Sequence, residues 1–487
     1  MNSNLRRWTA LVVVCFGQLM IMLDSTIVNV ALPSIQADLR FSQSDLTWVV
    51  NSYLIAYGSF LLVAGRVGDL IGRRKVFLAG VLLFTLASVA SGMSHGAAEL
   101  IAARFAQGLG GALSAGVILA ILVTGFQAPR ERAQAMSVFT FVIAGGGSLG
   151  LLAGGILTQL VNWHWIFFIN VPIGIVTLVM GAWLIEENEG LGLEHGVDAA
   201  GAILITAALI IGVYAIVTAG DTGWMSLHTL GFGGAAVALG TAFVYLESRL
   251  SNPLMPLRIL RLRSLTGATV VRAFLFVGMF TNFFVGALYL QHIRSFTAFE
   301  TGLAFLPATV TLAILSAGIT ARLMARFGPR RLAIAGLITI TSALLLLAGA
   351  DENAGYFPRI FAAYLMFGLG GGMAFMPLLT IAMSEVPAAD AGLASGFGNV
   401  SMQVAAAIGL ASLGTISTAH AKALLAQGET MSVAMTGGYQ LAFLIAAASV
   451  VVGLALVLGV LRPNDGGGRR LPARDQYEQS RAEAEAA

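Results

Sequence analysis

Apolar residues run along this chain in long unbroken blocks, not at the 3.6-residue spacing of a half-exposed helix. Short basic, glycine-rich or polar stretches separate the blocks. Such blocks suit lipid as the solvent, because a helix pairs its own backbone groups and can show apolar side chains all round. Crossing the hydrocarbon takes about 20 residues at 1.5 Å rise each. That length predicts spans over 8–32, 46–66, 76–94, 98–122, 133–160 and 164–185, then 199–219 and 228–247. Six more follow over 265–290, 300–321, 332–350, 356–384, 394–418 and 437–461. The expected fold is all-α and integral to the membrane, with about fourteen transmembrane helices. The first block exceeds the ~7–15 residues of a signal-peptide core, so a retained helix is expected. The polar stretch 463–487 is expected to be a disordered tail.

Composition agrees. Of 487 residues, 57% are hydrophobic and only 10% charged, against roughly 25% charged in a soluble domain. The 58 glycines suit membrane helices whose backbones approach closely. A single cysteine, Cys15, rules out an intrachain disulfide and a thiol metal site.

Charge placement sets the expected orientation. With both termini in the cytoplasm and spans alternating, only Arg40, Arg294, Arg359 and Lys422 of the 27 Lys and Arg fall outside. Arg104 and Arg272 lie within spans, and the rest face inside. This positive-inside bias fixes the orientation and requires an even number of spans. The acidic loop 186–198 departs from it, but acidic residues count little in the rule.

An internal repeat is also visible. GRVGDLIGRRKV, Gly65 to Val76, aligns with ARLMARFGPRRL, Ala321 to Leu332: Arg66 with Arg322, Gly72 with Gly328, Arg74 with Arg330. The offset covers eight helices, which fits two parallel six-helix bundles with two helices inserted between them. The expected division is 1–186, 187–250 for the inserted pair, 251–462, and the tail.

Four stretches carry a resemblance: LDSTIVNVALP (Leu23–Pro33), GRVGDLIGRRK (Gly65–Lys75), RFAQGLGGA (Arg104–Ala112), and GGGSLGLLAGG (Gly145–Gly155) followed by WHWIFFINVPIG (Trp163–Gly174). In order and on successive helices, they resemble the fourteen-helix drug:proton antiporters of the major facilitator superfamily. The likeness covers nearly the whole chain to about Arg462. It implies alternating access, outward transport and protons as the coupling ion. It also implies a cytoplasmic gate loop of Gly65, Asp69, Gly72, Arg73 and Arg74, in which Asp69 meets a helix N-terminus of the opposite half and the arginines pair with nearby acids. An antiporter glycine face of Gly146, Gly150, Gly154 and Gly155 is implied as well. The chain departs from the pattern at Leu151, where Pro is usual after the central glycine, at His164 and Leu70, where basic residues are usual, and at Ala325, which replaces the second loop's acid.

From the residues themselves, Asp24 is the only carboxylate deep inside a predicted span. Mid-membrane ionisable groups are costly and mark function by default. The proton affinity of such an acid responds to rearrangement around it. Asp24 precedes Pro33 by nine residues, about 13 Å of helix; Arg104 follows Glu99 by five, about 8 Å. Both therefore lie in the outer half of the bilayer, and a pair would offset the cost of burying each. Gln107 shares the face of Arg104. The two are the expected proton-coupling residues, against a static ion pair.

Asn29, Tyr53, Gln107, Asn282, Tyr289, Gln291, Asn399 and Gln403 are candidate cavity residues, against simple helix–helix hydrogen bonding. Phe274, Phe276, Phe280, Phe283 and Phe284 crowd the ninth span; some face lipid and others suit a large apolar solute, with Met402 as an adaptable surface. Arg272 either snorkels to the cytoplasmic face or serves an anionic solute. No GxxxxGK[ST] loop is present, so ATP is not an expected partner. No nucleic-acid partner is expected, and no HExxH or Cys/His cluster suggests a metal. No nucleophile–base set suggests an enzyme. Two lysines against 25 arginines fit a GC-rich bacterial source and hence a bacterial plasma membrane. The expected function is proton-coupled export of small amphipathic organic solutes by a monomer in the lipid bilayer. The alternative is a lipid or lipid-precursor translocator of the same fold.

Overall fold

The computed structural model describes residues 3–42, 45–126, 129–187, 190, 192, 198–250, 257–386 and 391–461. The expected tail, 463–487, lies outside them. So do most of 187–198 and all of 251–256, where two of the expected domain boundaries fall.

The described chain is helical. The first half contains α1 (Ser3–Leu39), α2 (Thr47–Ile71), α3 (Arg73–Gly92), α4 (Ala97–Gly125) and α5 (Pro129–Leu160). Its last helix, α6, is broken into Trp165–Phe168 and Asn170–Leu184. Pro172 accounts for the break: it has no N–H to give the carbonyl of Phe168. Next come α7 (Ala199–Thr222) and α8 (Leu227–Arg249). The second half begins with α9 (Arg263–Leu288), which runs into a π turn, Tyr289–Ile293. Helix α10 (Ala298–Ile314) continues through a π turn, Leu315–Ile319, into Thr320–Phe327. The last four are α11 (Pro329–Ala348), α12 (the π turn Tyr356–Ile360 and Phe361–Met383), α13 (Ala391–Ala426) and α14 (Met431–Gly459).

Among the described residues, eleven helices are individually long and apolar enough to cross a membrane, and the bent α2 is a twelfth. Shorter apolar stretches, Leu149–Leu160 and Ala298–Ile314, lie in α5 and α10 and complete fourteen. Each predicted span is found as a helix. Several helices overrun the prediction, α1 to Leu39 and α13 to Ala426, because hydropathy registers only the apolar band.

The repeat is built into the backbone. Gly72 (φ 108°) joins α2 to α3, and Gly328 (φ 80°) joins α10 to α11. At both junctions the glycine N–H closes the preceding helix, onto Gly68 and Met324 respectively. A side chain at such a φ is strained, so each bend requires glycine. Helix packing repeats too. A Cβ on Gly80 (α3) would stand 2.8 Å from the carbonyl of Gly110 (α4), and one on Gly336 (α11) 2.7 Å from that of Gly370 (α12). The inserted helices sit to one side: α7 packs on α2 and α13, and α8 on α7. Leu227 is 90% and Val237 70% exposed on α8, the surface expected of a helix bathed in lipid.

The two halves meet backbone to backbone at their outer end. A Cβ on Gly155 (α5) would lie 2.7 Å from the Ala298 carbonyl, and one on Gly302 (α10) 2.7 Å from that of Leu151. Gln291 Nε2 donates to the Val30 carbonyl at 2.8 Å, and the Phe299 N–H to Gln159 Oε1 at 3.2 Å. At the end that holds the basic loops, two arginines bond within their own halves. Arg74 donates to the Ala182 carbonyl, and Arg330 Nη2 to that of Leu458 at 3.0 Å. Gly155, Gly302, Gln291 and Gln159 thus join the two halves at the end away from the basic loops.

Candidate functional site

Asp24 and Arg104 come together inside the first half. Arg104 Nη1 lies 2.5 Å from Asp24 Oδ2, with the side chains 0% and 1% exposed. The same Nη1 donates to Gln107 Oε1 at 2.7 Å, and Nε donates to the Val49 carbonyl at 3.0 Å. Gln107 Nε2 in turn donates to Asp24 Oδ1 at 2.6 Å and to Ser88 Oγ at 2.8 Å. Asn170 Nδ2 reaches Asp24 Oδ1 at 3.2 Å. The Tyr53 ring lies under the guanidinium, its centroid 4.4 Å from Cζ, in cation–π contact. One ion pair thus ties five of the half's six helices, with residues from α1, α2, α3, α4 and α6.

The orientation of Gln107 follows from its neighbours. Arg104 has only donors, so it takes the amide oxygen, and the amide nitrogen is left for Asp24. Asp24 therefore receives three donors, from Arg104, Gln107 and Asn170. A carboxylate accepts all three; a carboxylic acid sets its own hydroxyl proton against one of them. What the arrangement offers chemically is a carboxylate whose charge and three donors hold several helices to one point.

Glycine brings these helices close enough. A Cβ on Gly108 would stand 3.0 Å from Cα of Tyr53; one on Gly111 would stand 3.3 Å from its hydroxyl. On α5, Gly146 and Gly154 would press on Met22 (2.9 Å) and on the Ile27 carbonyl (2.7 Å), and Gly150 on the Leu23 carbonyl (2.8 Å). The three lie along the stretch of α1 that carries Asp24. Only Gly155 of the expected face meets the opposite half.

Among the described residues, the second half has no equivalent pair. Gly368 of α12 would press on Ala308 as Gly108 presses on Tyr53. Four residues before each glycine stand Tyr364 and Arg104 respectively. Tyr364 is buried and its hydroxyl has no partner. The repeat thus preserves the packing and not the charge.

Other sequence candidates separate. In the gate loop, Asp69 Oδ1 pairs with Arg73 Nη2 of its own loop at 2.9 Å. Arg74 and Lys75 each lie 3.7 Å from Glu187. A Cβ on Gly65 would sit 3.5 Å from the Gly116 carbonyl, at the α2–α4 contact. Tyr53 belongs to the ion-pair cluster. Tyr289 donates to the Asp351 carbonyl at 2.7 Å, within the second half, and Gln291 bridges the halves through the Val30 carbonyl. Asn29 Nδ2 returns to the Ser25 carbonyl at 3.2 Å. Asn282 is buried with both amide atoms unpartnered. Gln403 Cβ sits 3.1 Å from a Cβ built on Gly58, while Asn399 is half-buried on α13. Sequence reasoning missed Ser88 and Asn170 as ligands of the cluster. Asn170 lies within the WHWIFFINVPIG stretch, and an amide just before the Val-Pro break was the available signal.

The chain matches the family model described as Major Facilitator Superfamily over residues 14–410. It is 35% identical over 458 residues to the puromycin resistance protein pur8 of Streptomyces alboniger, covering 94% of this chain and 90% of that one. It is 33% identical to the tetracenomycin C resistance and export protein of Streptomyces glaucescens, covering 84% and 76%. In fold it resembles the xylose transporter XylE from E. coli, with a TM-score of 0.62 at 14% identity over 94% of this chain and 99% of that one.

Proposed function

We propose, on the premise that this chain belongs to the major facilitator superfamily, that it expels drug-like organic solutes in exchange for protons. The solute class is taken from the relatives, one a puromycin resistance protein and one a tetracenomycin C export protein. The sealed Asp24–Arg104 pair is the observation that carries proton coupling. A proton on Asp24 removes the charge that holds Arg104 and opposes one of the three donors. The five helices tied to the pair then lose their common anchor, and the half can repack against its partner. Alternating access needs such a bistable element. The cycle runs with solute bound from the inner side, the outer face opening, solute leaving, and a proton entering Asp24 before the return. A single chain contains the whole path, with both termini cytoplasmic in a bacterial plasma membrane.

The experiment is uptake of ethidium into inverted vesicles under an imposed pH gradient. Native protein accumulates the dye when the lumen is acidic, and Asp24→Asn loses that response while still binding it. Undiminished proton-driven uptake by Asp24→Asn sinks the coupling role. A second reading, lipid translocation, has support in an apolar groove lined by Leu303, Val310, Tyr356, Phe357, Phe361 and Leu365. It requires movement of a labelled phospholipid that ignores the pH gradient.

A further inference from the structure

The second half holds one deep cation that the coupling scheme does not use. Arg272 lies nine residues past Arg263, about 13 Å into α9 from its basic end. It does not snorkel: the side chain is 3% exposed. Its guanidinium runs between α12 and α13, with Cζ 5.1 Å from the Phe375 ring centroid. Nη1 lies 3.2 Å from where a Cβ on Gly398 would stand, so glycine keeps that space open. Nε is buried without a partner. Among the described residues no carboxylate, carbonyl or hydroxyl meets this guanidinium. Glu385, at the foot of α9, is engaged by the N–H and hydroxyl of Ser264 at 3.2 and 2.7 Å.

The contrast with Arg104 is instructive. That guanidinium is buried as deeply but is met by a carboxylate, an amide oxygen and a carbonyl. A buried cation with no counter-ion is destabilising, and nothing in the packing of α9 offsets it. The surroundings suggest what does. Phe276 and Phe280 follow Arg272 at i+4 and i+8, on one stripe of α9. Phe276 lies 6.0 Å from both Phe280 and Phe375, centroid to centroid. The three rings are half-buried, so an apolar wall continues from the charged tip.

We propose that Arg272 receives the carboxylate of an amphipathic organic anion, whose apolar body lies along Phe375, Phe276 and Phe280. The carboxylate supplies the missing counter-charge in a bidentate pair, the geometry that suits guanidinium. This deepens the exporter reading and rests on it for the statement that the anion is cargo. It implies that the two halves divide the work, one binding the proton and the other the acidic solute.

The test is equilibrium dialysis of 1-naphthoate and neutral 1-naphthamide against the purified full-length protein in micelles, with protein-free micelles subtracted. Native protein should prefer the naphthoate by roughly ten- to hundredfold, the value of a charge-assisted pair. Arg272→Gln should abolish the preference, Arg272→Lys should keep part of it, and Gly398→Leu, which fills the space beside Nη1, should lose it with the charge intact. Arg272→Met should melt no lower than the native protein. Equal preference in native and Arg272→Gln proteins overturns the proposal, as does absence of preference in the native protein. A drop in melting temperature for Arg272→Met would make the residue a structural partner and overturn it equally. No proton gradient enters these measurements, so failure of the exchange mechanism leaves them readable.

Discussion

Removing both charges of the Asp24–Arg104 pair should harm stability less than removing each alone would suggest, yet abolish proton coupling as completely. In Arg104→Met, Asp24 loses its counter-charge and keeps only Gln107 and Asn170 to meet it. In Asp24→Leu, Arg104 keeps the Val49 carbonyl and the Gln107 amide oxygen but no counter-charge. An uncompensated buried charge costs about 3–5 kcal/mol, so independent effects would sum to roughly twice that. The double variant, Asp24→Leu with Arg104→Met, contains no buried charge. It strands the Val49 carbonyl, Gln107 Oε1 and Asn170 Nδ2, each worth about 1 kcal/mol or somewhat more. It should therefore lie at least about 3 kcal/mol above the additive expectation. SDS titration of the four proteins in mixed micelles measures this coupling, and the vesicle assay reads proton-driven efflux from the same preparations. Additivity within about 0.5 kcal/mol would mean that the pair carries no interaction energy. Proton-driven efflux by the double variant would mean that the pair is structural only.

Other expectations follow from single residues. Gly110→Ala places a Cβ 2.5 Å from the backbone nitrogen of Phe84, where no side chain can yield. It should cost more than about 2 kcal/mol, whereas Gly125→Ala, with open space around it, should be nearly neutral; heat inactivation of dye binding compares them. Asp69→Asn breaks a half-exposed pair with Arg73 worth under about 1 kcal/mol, so its melting temperature should barely move. A gate role predicts a fall in transport rate of tenfold or more in that variant, and an unchanged rate removes the role. Gln291→Ala deletes the cross-half bond to Val30. In a background with Cys15 replaced, it should speed labelling of a cysteine introduced at Val30 by an impermeant thiol reagent added outside; unchanged labelling would show that the contact does not hold the outer face.

Much of this was legible in one dimension because lipid imposes a simple code. A backbone in hydrocarbon must satisfy itself, so helices appear as apolar blocks of fixed length, and basic loops record their orientation. The repeat was legible at Gly72 and Gly328 because a positive φ admits little else. Asp24 and Arg104 were legible as a pair because helix rise converts residue counts into depth. The break in α6 needed only Pro172.

Lateral relations were not written in those counts. Depth says nothing about which helix stands next to which, so Ser88 and Asn170 joined the acid only when α3 and α6 closed around α1 and α4. Tyr289 and Gln291 carry the same polar signal as a cavity residue, yet packing gave one a carbonyl of its own half and the other a carbonyl across the interface. Asp69 reads as a partner for the far half, and the fold also sets it beside Arg73 one turn along. Arg272 is the sharpest case. Its long side chain could equally reach water or the interior, and rotation of α9 toward Phe375 and Gly398 chose the interior. Sequence set the helices, their depth and their polarity, because each depends on one chain segment and its solvent. Tertiary structure alone decided which buried charge is paired and which meets no counter-charge among the described residues, because that depends on how helices rotate against one another.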